Sequence, residues 1–298
     1  MVASGPAGPR RRLGAELRRL RTGKGLHLDE VAGQLRCSTS KISRLETGKG
    51  IPKAADVRAL IRIYDVTGDA ERAMLLRLVQ ESRTEGWWAS YTDGVAPERF
   101  FLDGPDRYTA LETDATGLRS FDYGILHGLL QTPDYARAVL SLQLPHHTCH
   151  EIDQLVELRE RRQEALRRPH PLRLTAVIDE SGLVRTVGGP DVMAGQMRHL
   201  LELMEFPNVV VRVLPFASGL LRAHLGHFMI LEIPAALGSD IVYVEGHAGA
   251  TLLELESDVD LYADVFADAL DRSLEPGASR EVVRRCADDH APRGRTSS

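Results

Sequence analysis

The run LHLDEVAGQLRCSTSKISRLETGKG, Leu26 to Gly50, decides how this chain is read. Its first part, Leu28–Leu35, puts Leu28, Val31, Ala32 and Leu35 on one helical face, with Asp29 and Glu30 in the first turn, where acids complement the helix dipole. Ser38 then supplies an N-cap for a second helix containing Ile42 and Leu45, and Gly48 supplies a stop. Two short helices joined by a turn of about three or four residues can set one helix in the major groove of DNA while the other braces it. Such a pair needs a small residue where the helices cross, and Ala32 is there. It also needs inward apolar side chains, which Val31, Leu35, Ile42 and Leu45 provide. The outer face of the second helix carries Thr39, Ser40, Lys41, Ser43 and Arg44. These are short hydroxyls and long cations that can reach base edges and phosphates.

The flanking sequence extends the helical pattern. Gly14–Arg21 lies beside Leu13 and carries Leu17 and Leu20. A segment from Lys53 to Tyr64 turns Val57, Leu60 and Ile61 inward. Asp69 opens a longer helix with Met74, Leu75, Leu78 and Val79. Charge follows the same division. Residues 1–68 hold 14 Lys and Arg against 6 Asp and Glu, whereas the remainder holds 23 against 36. A basic front end on an acidic body points to a polyanion met by the front end alone.

At these residues the chain resembles the Xre family, which includes the lambda and 434 phage repressors. The family pattern is matched by Ala32, Ser38, Ile42, Ser43, Glu46 and Gly48. The resemblance implies that Thr39, Ser40 and Arg44 face bases and that Ser38 and Lys41 also contact DNA. Lys49 and Lys53 would supply the basic residues that follow the glycine. It implies a structural ion pair between Arg21 and Glu46, linking the first and third helices. Two positions depart from the pattern. Leu28 stands where a phosphate-binding glutamine is usual, and Arg36 stands where the turn glycine is usual, at a cost of about 1 kcal/mol if its φ is positive.

The later segments LETDATGLRSFDYGILHGLLQTPDYARAVL, VELRERRQEALRR, RLTAVIDESGLVR and NVVVRVLPF resemble a C-terminal domain of poorly defined function. That domain accompanies Xre-type helix-turn-helices in many actinobacterial regulators. Some of these look like antitoxins encoded beside a small partner protein. The pattern here predicts helices over Tyr108–Ala115, Pro133–Leu142, Glu151–Arg168, Asp191–Glu205 and Asp258–Leu274. It predicts strands over Leu172–Ile178, Val209–Leu214, Phe228–Ile233 and Ile241–Val244. The expected fold class is α+β: an all-α, five-helix, lambda-repressor-like DNA-binding domain followed by a larger α+β domain. The boundaries expected are a disordered basic arm over 1–12, the helix-turn-helix domain over 13–83 and a linker over 84–107 packed on the second domain through Trp87 and Trp88. The second domain follows over 108–288, with a disordered tail over 289–298.

Sharper chemistry finds little support. His146, His147, Cys149 and His150 are spaced too tightly for a usual zinc site and read as a solvated loop, so no metal or cofactor is expected. The arginines of Glu151–Arg168 are balanced by Glu157, Glu160 and Glu164, which favours a solvated face over a second DNA contact. No hydrolase, P-loop or dinucleotide motif occurs, and His224, His227 and Asp179 form no site by spacing, so no enzymatic activity is expected. No apolar run is long enough to cross a membrane, and the three scattered cysteines fit a reducing compartment, so the cytoplasm is expected. The partners expected are double-stranded DNA, a second copy in a homodimer whose interface comes mostly from residues after about 69, and a small protein encoded nearby; the long helix bearing Val259, Leu261, Val265, Phe266 and Leu270 either joins that interface or packs on its own sheet. A small molecule in a sensing pocket is the alternative for the second domain. An enclosed apolar cavity favours the sensor, and an exposed apolar patch favours the protein partner.

Overall fold

The computed structural model describes residues 7–48, 50–83, 86–93, 95, 104–235, 238–246 and 249–291. They form two compact units.

The first unit contains α1 (Ala7–Gly23), α2 (Leu28–Leu35), α3 (Thr39–Glu46), α4 (Ala54–Ile63) and α5 (Asp69–Glu81). One core joins all five: Leu13 and Leu17 of α1, Val31 and Ala32 of α2, Ile42 and Leu45 of α3, Val57 and Leu60 of α4, and Leu75 and Leu78 of α5. α1 begins at Ala7, so residues 7–12, expected in a disordered arm, are helical. The reason is anchoring: the Gly8 N–H donates to the Asp114 carboxylate, and Arg10 Nε donates to Ser82 O at 2.9 Å.

A second boundary also moves. After the short α6 (Ala89–Thr92), α7 (Gly104–Asp114) was expected to open the second domain, yet its residues 106–114 and the later stretch 233–239 belong to the first unit. Trp88 is buried in that unit, edge-on to Trp87, whose indole N–H donates to Thr113 Oγ1 at 3.3 Å. The tryptophans therefore hold the start of the linker on the first unit and not, as expected, on the second, whereas the described residues of 90–105 group with the second unit. Much of the linker, and the tail beyond 291, lie outside the described residues.

The second unit is a six-stranded mixed sheet in the order β3-β2-β1-β4-β5-β6. The strands are β1 (Gly117–Asp122), β2 (Arg173–Asp179), β3 (Val209–Leu214), β4 (Phe228–Glu232), β5 (Ile241–Gly246) and β6 (Gly249–Leu253). β1, β2 and β3 run parallel, and β4, β5 and β6 are joined antiparallel. The helices are α8 (Pro133–Gln143), α9 (Cys149–Gln163), α10 (Ser181–Val184), α11 (Pro190–Leu203), α12 (Glu256–Arg272) and α13 (Pro276–His290). On one sheet face, Phe121, Val177, Phe228, Ile230 and Val242 pack with Phe266 and Ala269 of α12. The apolar face of α12 thus takes the second of its two expected places and covers its own sheet: Phe266 is buried, Val259, Val265 and Leu270 pack on this core, and Leu261 remains exposed. α13 was not expected. It covers the outer edge of β3, where Val213 N donates to Ser279 Oγ at 3.0 Å and Leu274 N donates to Val213 O at 2.8 Å, satisfying edge groups that would otherwise face water.

The phrases GLLQTPDYAR and LRERRQEAL prove to be two halves of one hydrogen-bonded structure. The chain turns through a short 3-10 helix, Gly128–Leu130, into α8, which Thr132 caps by accepting from Tyr135 N. Arg159 of α9 donates to Gln131 Oε1, and Gln163 Nε2 donates to Gly128 O at 3.2 Å and Gln131 O at 2.6 Å. From α11, the fully buried Gln196 accepts from Thr132 N at 2.7 Å and donates to Leu130 O at 2.6 Å. Three glutamines thus saturate a buried stretch of irregular backbone. Gln196→Leu strands an N–H and a C=O, and should cost the second unit about 2 kcal/mol. A lower denaturant midpoint with an unchanged slope is the expected readout. An unaltered midpoint would mean that the turn finds other partners.

No helix among the described residues is long and apolar enough to cross a membrane.

Candidate nucleic-acid interface

The helix pair is held by its caps and its core. α2 closes at Arg36, whose φ and ψ are 52° and 50°, and Cys37 N donates back to Ala32 O at 2.9 Å. Arg36, Cys37 and Ser38 make the turn. Ser38 then caps α3, its Oγ accepting from Lys41 N at 3.2 Å. Ile42 and Leu45 point into the core, and this fixes the outward face of α3.

The named residues occupy that face in different ways. Thr39, Ser40 and Arg44 are exposed. Ser43 is half-buried, with its carbonyl accepting from Thr47 Oγ1 at 2.8 Å. The Ser38 hydroxyl is occupied as a cap. The Lys41 ammonium lies 2.7 Å from Asp56 of α4. Lys53 is exposed and is the N-cap residue of α4. Lys49 lies outside the described residues. Leu28, at the position where the resemblance implies a phosphate contact, packs against the core instead.

Behind the face, Arg21 and Glu46 meet in a two-pronged pair. Nε donates to Oε1 at 2.7 Å and Nη2 donates to Oε2 at 2.9 Å, while Nη1 donates to Leu26 O at 2.8 Å. The side chains are only 11% and 5% exposed. The hydrogen bond to Glu46 raises the Arg21 pKa above its ordinary value, against the opposing effect of burial. Sequence reasoning missed Gly14. A Cβ there would stand 2.5 Å from Glu46 O and 2.7 Å from Leu45 O, so α1 crosses the end of α3 at backbone contact. The i to i+3 and i+4 apolar pattern marks the inward face but not how closely two backbones approach.

Arg36 was also missed as a cation beside α3. It is exposed, and among the described residues no carboxylate pairs with it. Its left-handed backbone is strained for a side chain, so Arg36→Gly should raise the stability of the first unit by about 1 kcal/mol. Fluorescence of Trp87 and Trp88, the chain's two tryptophans, both in the first unit, reads this directly. A loss of stability would show that the arginine makes compensating contacts.

In the second unit, a cavity of about 440 Å³ opens to solvent and is lined by Tyr123, Asp179, Ser181, Val184, Arg185, Phe216 and His224. Asp179 ends β2. Its Oδ1 accepts from Ser181 N at 2.9 Å and from the Ser181 hydroxyl, and its Oδ2 lies 3.0 Å from His224 Nε2. His224 Nδ1 lies 3.0 Å from Leu221 N and 3.3 Å from Leu221 O, which fixes the ring with Nε2 facing Asp179. The serine and histidine both engage the aspartate. Around His146–His150, Thr148 and Glu151 form a capping box for α9. Among the described residues no group of three His, Cys, Asp or Glu could hold a metal ion.

The fold and the helix pair define a helix-turn-helix DNA-binding protein with an α+β companion domain. A family described as a helix-turn-helix domain matches residues 12–75. A family described as a domain of unknown function (DUF5753) matches residues 105–285, more than half of the chain, and the chain belongs to that family. No curated protein and no solved structure matches it.

Proposed function

We propose that this chain is a sequence-specific transcription regulator of the Xre type. It docks α3 in the major groove, acts in the cytoplasm without enzymatic activity, and pairs with itself to read a near-palindromic site. The observation that carries the reading is the outward face of α3, where Thr39, Ser40 and Arg44 are exposed above a helix fixed by Ile42, Leu45 and the Arg21–Glu46 pair. One such domain spans only a few base pairs, and recognition by this motif uses two domains about 34–36 Å apart. The second unit then serves protein contact, antitoxin-like in the sense of holding another chain. The cavity at Asp179 and His224 favours one further reading, a small-molecule sensor. Its open mouth and exposed apolar rim fit a protein surface better.

The test begins with genome-wide mapping of bound DNA by the tagged protein. On the site found, Arg44→Ala should cost about 1–3 kcal/mol and relax sequence choice at one base pair. Lys53→Ala should weaken all sequences alike and reduce the salt slope by about 1. Wild-type affinity in Arg44→Ala would refute this docking of α3.

A further inference from the structure

The loops after β1 and β2 and the loop joining β3 to β4 gather at one end of the sheet, because β1–β3 are parallel and β4 starts opposite the end of β1. Five large apolar side chains on these loops stand in solvent: Tyr123, Val184, Phe216, Leu220 and Leu225, the last two 87% and 89% exposed. Scattered exposed leucines need no explanation, but Tyr123, Val184 and Phe216 line one cavity, and Leu220 and Leu225 lie on the same loop as Phe216; such a gathering of exposed apolar groups marks a contact surface.

The free charge on these three loops is basic, with Glu245 at the end of β5 the exposed acid beside them. Stretches 123–132 and 215–231 contain no carboxylate, although the body of the chain is acidic. The acids of the β2 loop are turned inward: Asp179 onto Ser181 and His224, and Glu180 onto the Phe216 N–H at 2.8 Å. Arg185 and Arg222 are exposed, and no carboxylate among the described residues pairs with them. The opposite pattern lies next door. The outer stripe of α12 exposes Asp260, Leu261, Asp264 and Asp271, with no basic group among the described residues paired to its three acids. The two patches adjoin, since the 3-10 helix Arg222–Leu225 packs on α12 and Ser218 Oγ donates to Arg272 O at 3.1 Å.

We propose that this rim is where two copies of the chain pair: the rim of each copy meets the acidic stripe of α12 on the other. Adjacent complementary patches on one domain close under a twofold rotation, each contact occurring twice. The apolar side chains supply the desolvated centre, and Arg185 and Arg222 set the register against the acids. This rests on the homodimer reading above and gives it a location.

Sedimentation of the full chain across the micromolar range tests both. The wild type should be a dimer. Leu220→Asp with Leu225→Asp should weaken association about tenfold or more, the loss of a central apolar anchor. The variant chain should still fold, with an unchanged circular dichroism spectrum, because both side chains are in solvent in the single chain. Leu142→Asp, equally exposed on α8, should leave the dimer intact. Arg185→Glu with Arg222→Glu should also weaken it, and adding Asp260→Arg and Asp264→Arg to the same chain should restore association. A monomeric wild type would overturn the dimer reading itself. A dimer indifferent to Leu220→Asp with Leu225→Asp would overturn this location alone and leave the rim to a different protein.

Discussion

Glu46→Ala should destabilise the first unit by about 3–5 kcal/mol, the usual cost of breaking a buried pair by removing one partner. The orphaned Arg21 guanidinium, with its side chain 11% exposed, would keep only its bond to Leu26 O. The neighbouring Tyr64 cannot take over, for it brings no negative charge: burial pushes its pKa far up, and its hydroxyl is itself buried without a hydrogen-bond partner. Arg21→Met with Glu46→Leu should be milder than either single loss, because no charge remains stranded. Thermal unfolding followed by Trp fluorescence gives all three values. Additive single effects would show that the two residues act separately. DNA binding should fall as well, since the pair and the Gly14 crossing together hold α3 against α1.

The helix-turn-helix unit was legible because its determinants are local. Apolar spacing, the Ser38 cap and Gly48 fix α2 and α3 within a residue, and the bounds of α2 came out as read. Strands β2 to β5 were legible too, from their apolar runs, but two elements that depend on distant partners were not. β1 (GLRSFD) mixes polar and apolar residues because Ser120 and Asp122 are buried and bonded to each other, so alternation gives no signal. α13 has only Val282, Val283 and Cys286 as its large inward residues, among many charges, and exists to cover β3. The rim was invisible for a different reason. Its members come from three loops that only the sheet topology brings together, and each alone is an ordinary surface residue. The family-like phrases around Gln131 and Gln163 were recognisable as patterns, but that they meet one another follows only from the fold.

Asp122→Asn should stabilise the second unit relative to wild type, and increasingly so as pH rises. Asp122 ends β1 with no exposed surface. Its Oδ2 accepts from His127 N at 3.2 Å and Ser120 Oγ at 3.3 Å, while Oδ1 has no hydrogen-bond partner among the described residues and faces His227 Nδ1 at 3.8 Å. Burial pushes its pKa up from 3.8 to about 6, further than His227 and the two hydrogen bonds pull it down. A carboxyl whose folded pKa lies above its unfolded value contributes stability below the unfolded pKa, and that contribution is lost as pH rises through the folded pKa. Across this window the loss is about 3 kcal/mol in all, of which about 1.4 kcal/mol falls between about pH 5 and pH 8. His127 works the other way. Burial holds its pKa well below 6.5, so it costs stability as the solution is made acid. The difference between Asp122→Asn and wild type cancels that contribution. Denaturant unfolding by circular dichroism should show the difference growing by about 1.4 kcal/mol from about pH 5 to pH 8. A constant offset would mean that Asp122 does not titrate there. Asparagine has nearly the shape of aspartate and could accept the same two hydrogen bonds, so what the carboxylate adds at neutral pH is charge, at a cost in stability. Residues that cost stability in this way concentrate where a fold does its work. Asp122 stands directly before Tyr123, the first residue of the rim assigned above to pairing.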